Sequence, residues 1–138
     1  MSPYLLDTNA CILYLRQRDP GLIQRIKTHQ PNEIRLCSVV VAELFFGAFR
    51  SPPKYRSTNL ALLAQFLPLF VSLPFTDAAA EIFGRIRADV AARGVMLGPY
   101  DLQIAAIALA ENLTLVTHNI REFGRVTGLR IEDWQTIP

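Results

Sequence analysis

Four polar residues stand where apolar sequence makes them expensive. Asp7 closes the short apolar run in Leu5-Leu6-Asp7-Thr8-Asn9. Glu43 interrupts Val39-Val40-Val41-Ala42-Glu43-Leu44-Phe45-Phe46. Asp101 follows Gly98-Pro99-Tyr100 and opens an Ala/Ile/Leu-rich stretch, and Asn119 follows Leu115-Val116-Thr117. A carboxylate in apolar surroundings is costly unless it is paired or binds a cation. Carboxylate oxygens are hard donors that suit Mg²⁺ or Mn²⁺ and leave positions open for water and phosphate oxygens. An ion so held lowers the pKa of bound water and stabilises charge on an in-line phosphoryl transition state. Asn119 can supply an amide oxygen or orient a water.

Each of these residues also has a plainer role. Asp7 serves equally as a helix N-cap, and Asp101 near a helix start complements the helix dipole. Glu43 needs a partner if its helix is buried all round, but not if one face is wet. Asn119 alone is a common turn residue. Thr8 and His118 could touch a phosphate or make ordinary hydrogen bonds.

The elements that must position these residues follow from pattern and punctuation. Strands are expected at 4–6, 34–37, 70–73, 113–117 and 129–131. Helices are expected at 9–17, 20–29, 39–49, 54–67, from Asp77 to Gly94 or Gly98, from Pro99 to Glu111, and as a short turn at 120–124. Asp7 or Thr8 caps the first helix, Ser38 the third, and Asp77 the fifth. Pro99 falls at N1 and Asp101 at N3 of the sixth. Helices 39–49 and 54–67 form a hairpin broken by Ser51-Pro52-Pro53. Short apolar strands alternating with helices call for a parallel sheet covered on both faces. Such sheets bind ligands beyond the carboxyl ends of their strands. Asp7, Ser38 and Asn119 lie at that edge. Asp101 reaches it if its helix starts there and runs back, which the sequence leaves open.

The chain of 138 residues is 51% hydrophobic and 19% charged. It is therefore one domain over 1–138 with a core, and not a disordered segment. The net charge of +2 permits nucleic-acid binding without arguing for it. Cys11 and Cys37 show no metal-binding spacing and read as buried thiols of a reducing cytoplasm. Zinc would need a denser cluster than His29 and His118 provide. No signal peptide is visible. The uncharged stretch 57–76 is interrupted by Pro68 and Pro74, which argues against a membrane span.

Leu6-Asp7-Thr8-Asn9, Val41-Ala42-Glu43-Leu44-Phe45-Phe46-Gly47, Gly98-Pro99-Tyr100-Asp101, Leu115-Val116-Thr117-His118-Asn119-Ile120-Arg121-Glu122-Phe123 and Ile131-Glu132-Asp133-Trp134 together resemble the PIN-domain ribonuclease toxins of the VapC family. The match spans nearly the whole chain in order and spacing. The resemblance implies an α/β PIN fold, a short central parallel sheet flanked by helices, with a helical hairpin extension. It implies an Mg²⁺- or Mn²⁺-dependent endoribonuclease with Asp7, Glu43 and Asp101 as the acidic, metal-holding triad. Asn119 takes the fourth catalytic position, where many relatives have Asp; Glu122 is the other candidate for that charge. Thr8, Asn9, Ser38 and Thr117 are accessory candidates. The resemblance further implies a transfer RNA target, often the initiator anticodon loop, a VapB-type antitoxin partner and a homodimer. Arg16, Arg18, Arg85, Arg87, Arg93 and Arg121 are candidates for holding the RNA backbone.

Two other functions remain in view. A phosphatase on a similar sheet would use Asp7 as nucleophile and want a second Asp where Asn9 stands. A catalytically silent PIN-like binding protein would have no need of Asp7, Glu43 and Asp101 together. The hairpin carries Phe45, Phe46, Phe49, Leu62, Leu63, Phe66 and Leu67, more apolar surface than it can hide internally, so part of it should meet a second copy or an antitoxin helix.

Overall fold

The computed structural model describes residues 3–138. Five strands, β1 (Tyr4–Leu6), β2 (Ile34–Cys37), β3 (Val71–Leu73), β4 (Thr114–Val116) and β5 (Arg130–Glu132), form one sheet in the order β3-β2-β1-β4-β5. All four pairings are parallel. The helices are α1 (Thr8–Leu15), α2 (Pro20–Thr28), α3 (Ser38–Phe49), α4 (Pro53–Phe66), α5 (Asp77–Ala92), α6 (Pro99–Ala110) and α7 (Ile120–Phe123). Single 3-10 turns lie at Pro31–Glu33 and Leu67–Leu69.

The central strands β1 and β4 are apolar apart from the buried Thr114 because both faces are covered. Leu5, Leu6, Leu115 and Val116 are buried in a core continuous with α6. Alanines at 105, 106 and 108 let α6 lie close, and Leu102, Ile104 and Ile107 fill the remaining space. The direction of α6 resolves the open question about Asp101. A helix feeding a parallel strand must finish near that strand's amino end. Therefore α6 ends at Ala110, turns through Asn112 (φ 56) and enters β4, and its first turn lies at the carboxyl edge of the sheet.

Several boundaries differ from expectation. Ser38 is not a cap: β2 runs into α3 without an intervening loop, so Cys37, still extended, takes the cap position. The Ser38 hydroxyl instead donates to the Leu73 carbonyl at 3.4 Å. Asp77 is the first residue of α5, and Thr76 caps it by accepting from the Ala79 N–H. β3 starts at Val71 because Phe70 closes the preceding 3-10 turn. β5 lies one residue later than its apolar signal suggests. Gly94 (φ 69) follows the end of α5 in a conformation that glycine adopts without cost.

The stretch 57–76 is divided among α4, a 3-10 turn and β3, and no helix among the described residues is long and apolar enough to cross a membrane. Both cysteines are free and buried. The hairpin α3–α4 divides its apolar residues. Leu63 and Phe66 enter the core, whereas Phe46, Phe49 and Leu62 are exposed.

Candidate active site

β1 delivers Asp7 directly to the carboxyl edge of the sheet. Its Oδ1 accepts from the Ala10 N–H at 2.8 Å, so Asp7 is indeed the N-cap of α1. The cap occupies one carboxylate oxygen and so does not exclude a site role for Asp7. The side chain is 6% exposed. Burial pushes its pKa up, the Thr117 hydroxyl and the Ala10 N–H pull it down, and the Glu43 and Asp133 carboxylates push it up again; the net shift is upward.

Thr117 is buried just past β4. It bonds to Asp7, and its oxygen accepts from the Asn119 N–H at 3.0 Å. One hydroxyl thus ties the ends of β1 and β4 together, using its single proton toward Asp7 and a lone pair toward Asn119. Asn119 donates its amide Nδ2 to Glu122 Oε2 at 3.0 Å. The two candidates for the fourth position are therefore joined to one another.

Glu43 sits on the second turn of α3, on a face that is neither buried nor fully open. It accepts from the Thr8 hydroxyl at 2.6 Å. The helix has a wet side, which removes the argument that Glu43 needs a buried partner, but that side faces the other carboxylates. Asp101, at N3 of α6, has its pKa pushed up to about 6, first by burial, then by Glu43, Asp7 and Glu122. Such mutual repulsion requires the four groups to share one region. The arrangement brings Asp7, Glu43, Asp101, Asn119, Glu122, Thr8 and Thr117 together. Asn9 and Ser38 lie beside them, lining an adjoining groove of about 730 Å³.

Among the described residues, no three His, Cys, Asp or Glu side chains close into a ready-made metal cage. Glu43 is turned to Thr8, and Glu122 to Asn119. An oxygen-only donor set with open positions matches how Mg²⁺ is held, through one or two carboxylates with water and phosphate completing the shell.

Asp133, given no role from sequence, belongs to this edge as well. It follows β5 as Asp7 follows β1, and that shared place at a strand's carboxyl end was the available signal. Its Oδ2 holds His118 Nδ1 at 2.9 Å, and its charge acts on Asp7. Asp19 is a second carboxylate without an expected role. It is fully buried, caps α2 through Leu22, and accepts from the Thr136 hydroxyl and the Thr136 and Ile137 N–H groups. Burial alone would raise its pKa, but these bonds outweigh it and hold the carboxyl at about 2. Asp19 fastens the C-terminal segment to α2.

The arginines divide. Arg93 is engaged by Asp89 and by the Arg125 carbonyl, and Arg87 lies over the Phe83 ring. Arg121 is exposed on α7 beside Glu122, and Arg16 lines a smaller groove that also contains Glu43.

Residues 4–129 match the PIN domain family. A curated relative from Salmonella typhimurium, named tRNA(fMet)-specific endonuclease VapC, is 38% identical over 136 residues, 97% of this chain and 99% of the relative. Among solved structures, the DNA-bound VapBC of Salmonella typhimurium superposes with a TM-score of 0.89 at 36% identity, covering 97% of this chain and 99% of that one. VapBC2 from Rickettsia felis, bound to a DNA fragment from its promoter, gives a TM-score of 0.89 at 32% identity, covering 96% and 98%.

Proposed function

This chain belongs to the VapC branch of the PIN-domain family, and from that membership and the site geometry we propose that it is an Mg²⁺- or Mn²⁺-dependent endoribonuclease, the toxin of a toxin–antitoxin pair. The observation that carries this reading is the convergence of Asp7, Glu43 and Asp101 at one sheet edge, where burial first and then the charges of Glu43, Asp7 and Glu122 raise Asp101 to about 6. Carboxylates left in mutual repulsion at neutral pH make sense as ligands for a cation.

Asp7, Asp101 and Glu43 supply the oxygens that would hold the ion. When bound, it polarises the phosphodiester and makes an attacking water more acidic. The chain's own residues do the rest. Thr117 fixes the Asp7 carboxylate, and Thr8 fixes that of Glu43. Asn119 commits its amide N–H to Glu122, which leaves its amide oxygen to accept from a water or a ribose hydroxyl. Arg121 and Arg16 offer guanidinium groups to phosphates on either side.

The substrate is a transfer RNA, with the initiator anticodon loop as the first candidate, following the tRNA(fMet)-specific name of the Salmonella relative. The partner is a VapB-type antitoxin, by likeness to the VapBC complexes. The domain spans 1–138, and the protein works in the cytoplasm as a homodimer. The deciding experiment is incubation of antitoxin-free protein with total transfer RNA, followed by sequencing of the new ends. Cleavage should require Mg²⁺ or Mn²⁺ and stop in EDTA. Full cleavage in EDTA, with metal absence verified, defeats the metal role; no cleavage of any RNA with Mg²⁺ defeats the proposal.

A further inference from the structure

The groove beside the carboxylates has a composition that acid chemistry does not explain. Two large aromatic side chains stand open at it: Phe46 is 65% and Tyr100 59% exposed. Exposing rings this large forgoes the burial that ordinarily places them in a core. Neither lies far from the acids. Tyr100 immediately precedes Asp101, and Phe46 lies one helical turn beyond Glu43 on α3. The Arg50 guanidinium sits over the Phe46 ring, 5.5 Å from its centroid. Among the described residues Arg50 forms no ion pair with a carboxylate, and neither does Arg16 at the other end of α1. Asn9, Ser38 and Gln103 add side-chain donors and acceptors to the same walls.

Exposed aromatic faces beside an arginine free of any carboxylate are what single-stranded nucleic acid requires. Bases stack on the rings, guanidinium groups meet the phosphates, and polar side chains meet the base edges. A base stacked on the open face of Phe46 would complete a sandwich with Arg50.

We propose that Phe46 and Tyr100, with Arg50, form a stacking subsite for unpaired nucleobases flanking the cleaved phosphate, which restricts this protein to looped-out RNA. The proposal rests on the ribonuclease reading and adds to it the side chains that hold the unpaired bases beside the cut. Charge favours RNA over a peptide as the occupant: a peptide held by apolar contact would leave Arg50, which lines this groove, without a counter-charge. Continuity favours it too, because Thr8 and Glu43 line the groove and also belong to the acidic site. A strand with one phosphate at the carboxylates extends into the groove with its next nucleotide.

The test uses the full chain carrying Asp7→Asn, so that RNA is bound and not cut. Fluorescence anisotropy in Mg²⁺ compares three labelled RNAs: a hairpin with an unpaired loop, the same hairpin with an abasic loop, and a full duplex. The normal loop should bind about tenfold tighter than the abasic loop, the range one stacked base is worth. Phe46→Leu and Tyr100→Leu should each remove most of that preference and leave duplex binding unchanged, while Phe46→Trp should retain it. Both rings are exposed, so these changes leave the core intact. Equal binding of normal and abasic loops overturns the proposal, as does unchanged loop binding by both leucine variants. If those variants lose affinity only for a purified VapB-type antitoxin, the groove is a peptide site and the proposal fails. Anisotropy reads stacking whether or not the wild type cuts RNA, so its failure is separable from failure of the ribonuclease reading.

Discussion

Replacing Asp101 with Asn should stabilise the metal-free protein at neutral pH, and the gain should vanish in acid. Asp101 is held at about 6 against an ordinary 3.8. The folded state therefore binds its proton more readily than the unfolded chain does. Stability from this group is fully present below 3.8, is lost as pH rises through about 6, and stays lost at pH 7. A shift of this size corresponds to at most about 3 kcal/mol. Asp101 is only half-buried, so solvent screening reduces that to about 1–2 kcal/mol. Asn at N3 also gives up a favourable charge–dipole term of roughly 0.5 kcal/mol. The net expectation is a gain of about 1 kcal/mol, or a rise in Tm of about 4 °C for a domain of this size. Melting curves of wild type and Asp101→Asn at pH 7.5 and pH 4, each with EDTA and with Mg²⁺, measure it. In EDTA the variant should melt higher at pH 7.5, and the two should converge at pH 4. Mg²⁺ should raise the wild type more, because the ion binds only the folded state and the variant has lost a ligand. A variant that melts below wild type in EDTA at pH 7.5 would mean that Asp101 is a helix-stabilising residue, and the repulsive-cluster argument would be wrong.

Other substitutions probe the remaining parts. Asp19→Ala strands the buried donors of Leu22, Thr136 and Ile137 and should cost about 3 kcal/mol in urea denaturation; a loss under about 1 kcal/mol would show that the C-terminal segment is not fastened there. Since Asp19 is held at about 2, its contribution should be present above pH 4 and fade as pH falls toward 2, so wild type and Asp19→Asn should converge in strong acid. Gly21→Ala would place a Cβ 2.2 Å from Thr136 Cγ2, so it should destabilise by about 1–3 kcal/mol, although alanine ordinarily favours a helix; a neutral or stabilised variant would contradict the tight docking. Phe49 is 57% exposed on the hairpin, so Phe49→Ser should leave the Tm nearly unchanged while shifting sedimentation from dimer toward monomer; an unaltered dimer would place the contact between copies elsewhere.

Local signals were enough to locate most elements, because they act within a few residues. Pro99 and Gly98 start α6, Gly94 closes α5, apolar runs mark β1 and β4, and an alternating pattern marks β2. The same signals placed Asp7 and Asn119 at strand ends, and a parallel sheet makes strand ends neighbours. Capping was less legible, since Cys37 and Thr76 hold cap positions for which Ser38 and Asp77 are the chemically fitted neighbours. The direction in which β2 enters α3 decides the first of these, and a hydroxyl one residue earlier decides the second. Convergence of Asp101 with Asp7 across 93 intervening positions depends on α6 running back along the sheet, which follows from β4 lying parallel to β1. Asp133 carries only the signal of its place after β5, and Asp19 has no local pattern that sets it apart from surface acids. One becomes part of the acidic edge because β5 pairs with β4, and the other becomes a buried anchor because the C-terminal segment folds back over α2. Which hairpin aromatics enter the core was equally undecidable from periodicity, since α3 and α4 are apolar on more than one side. Ring contacts with Tyr14 and Phe70 take Phe66 inward beside the buried Leu63, and Phe46 and Phe49 are left to water. Proton affinities follow the same division: a carboxyl's type sets its ordinary pKa, but its neighbours and its solvent, which are tertiary properties, put Asp101 near 6 and Asp19 near 2.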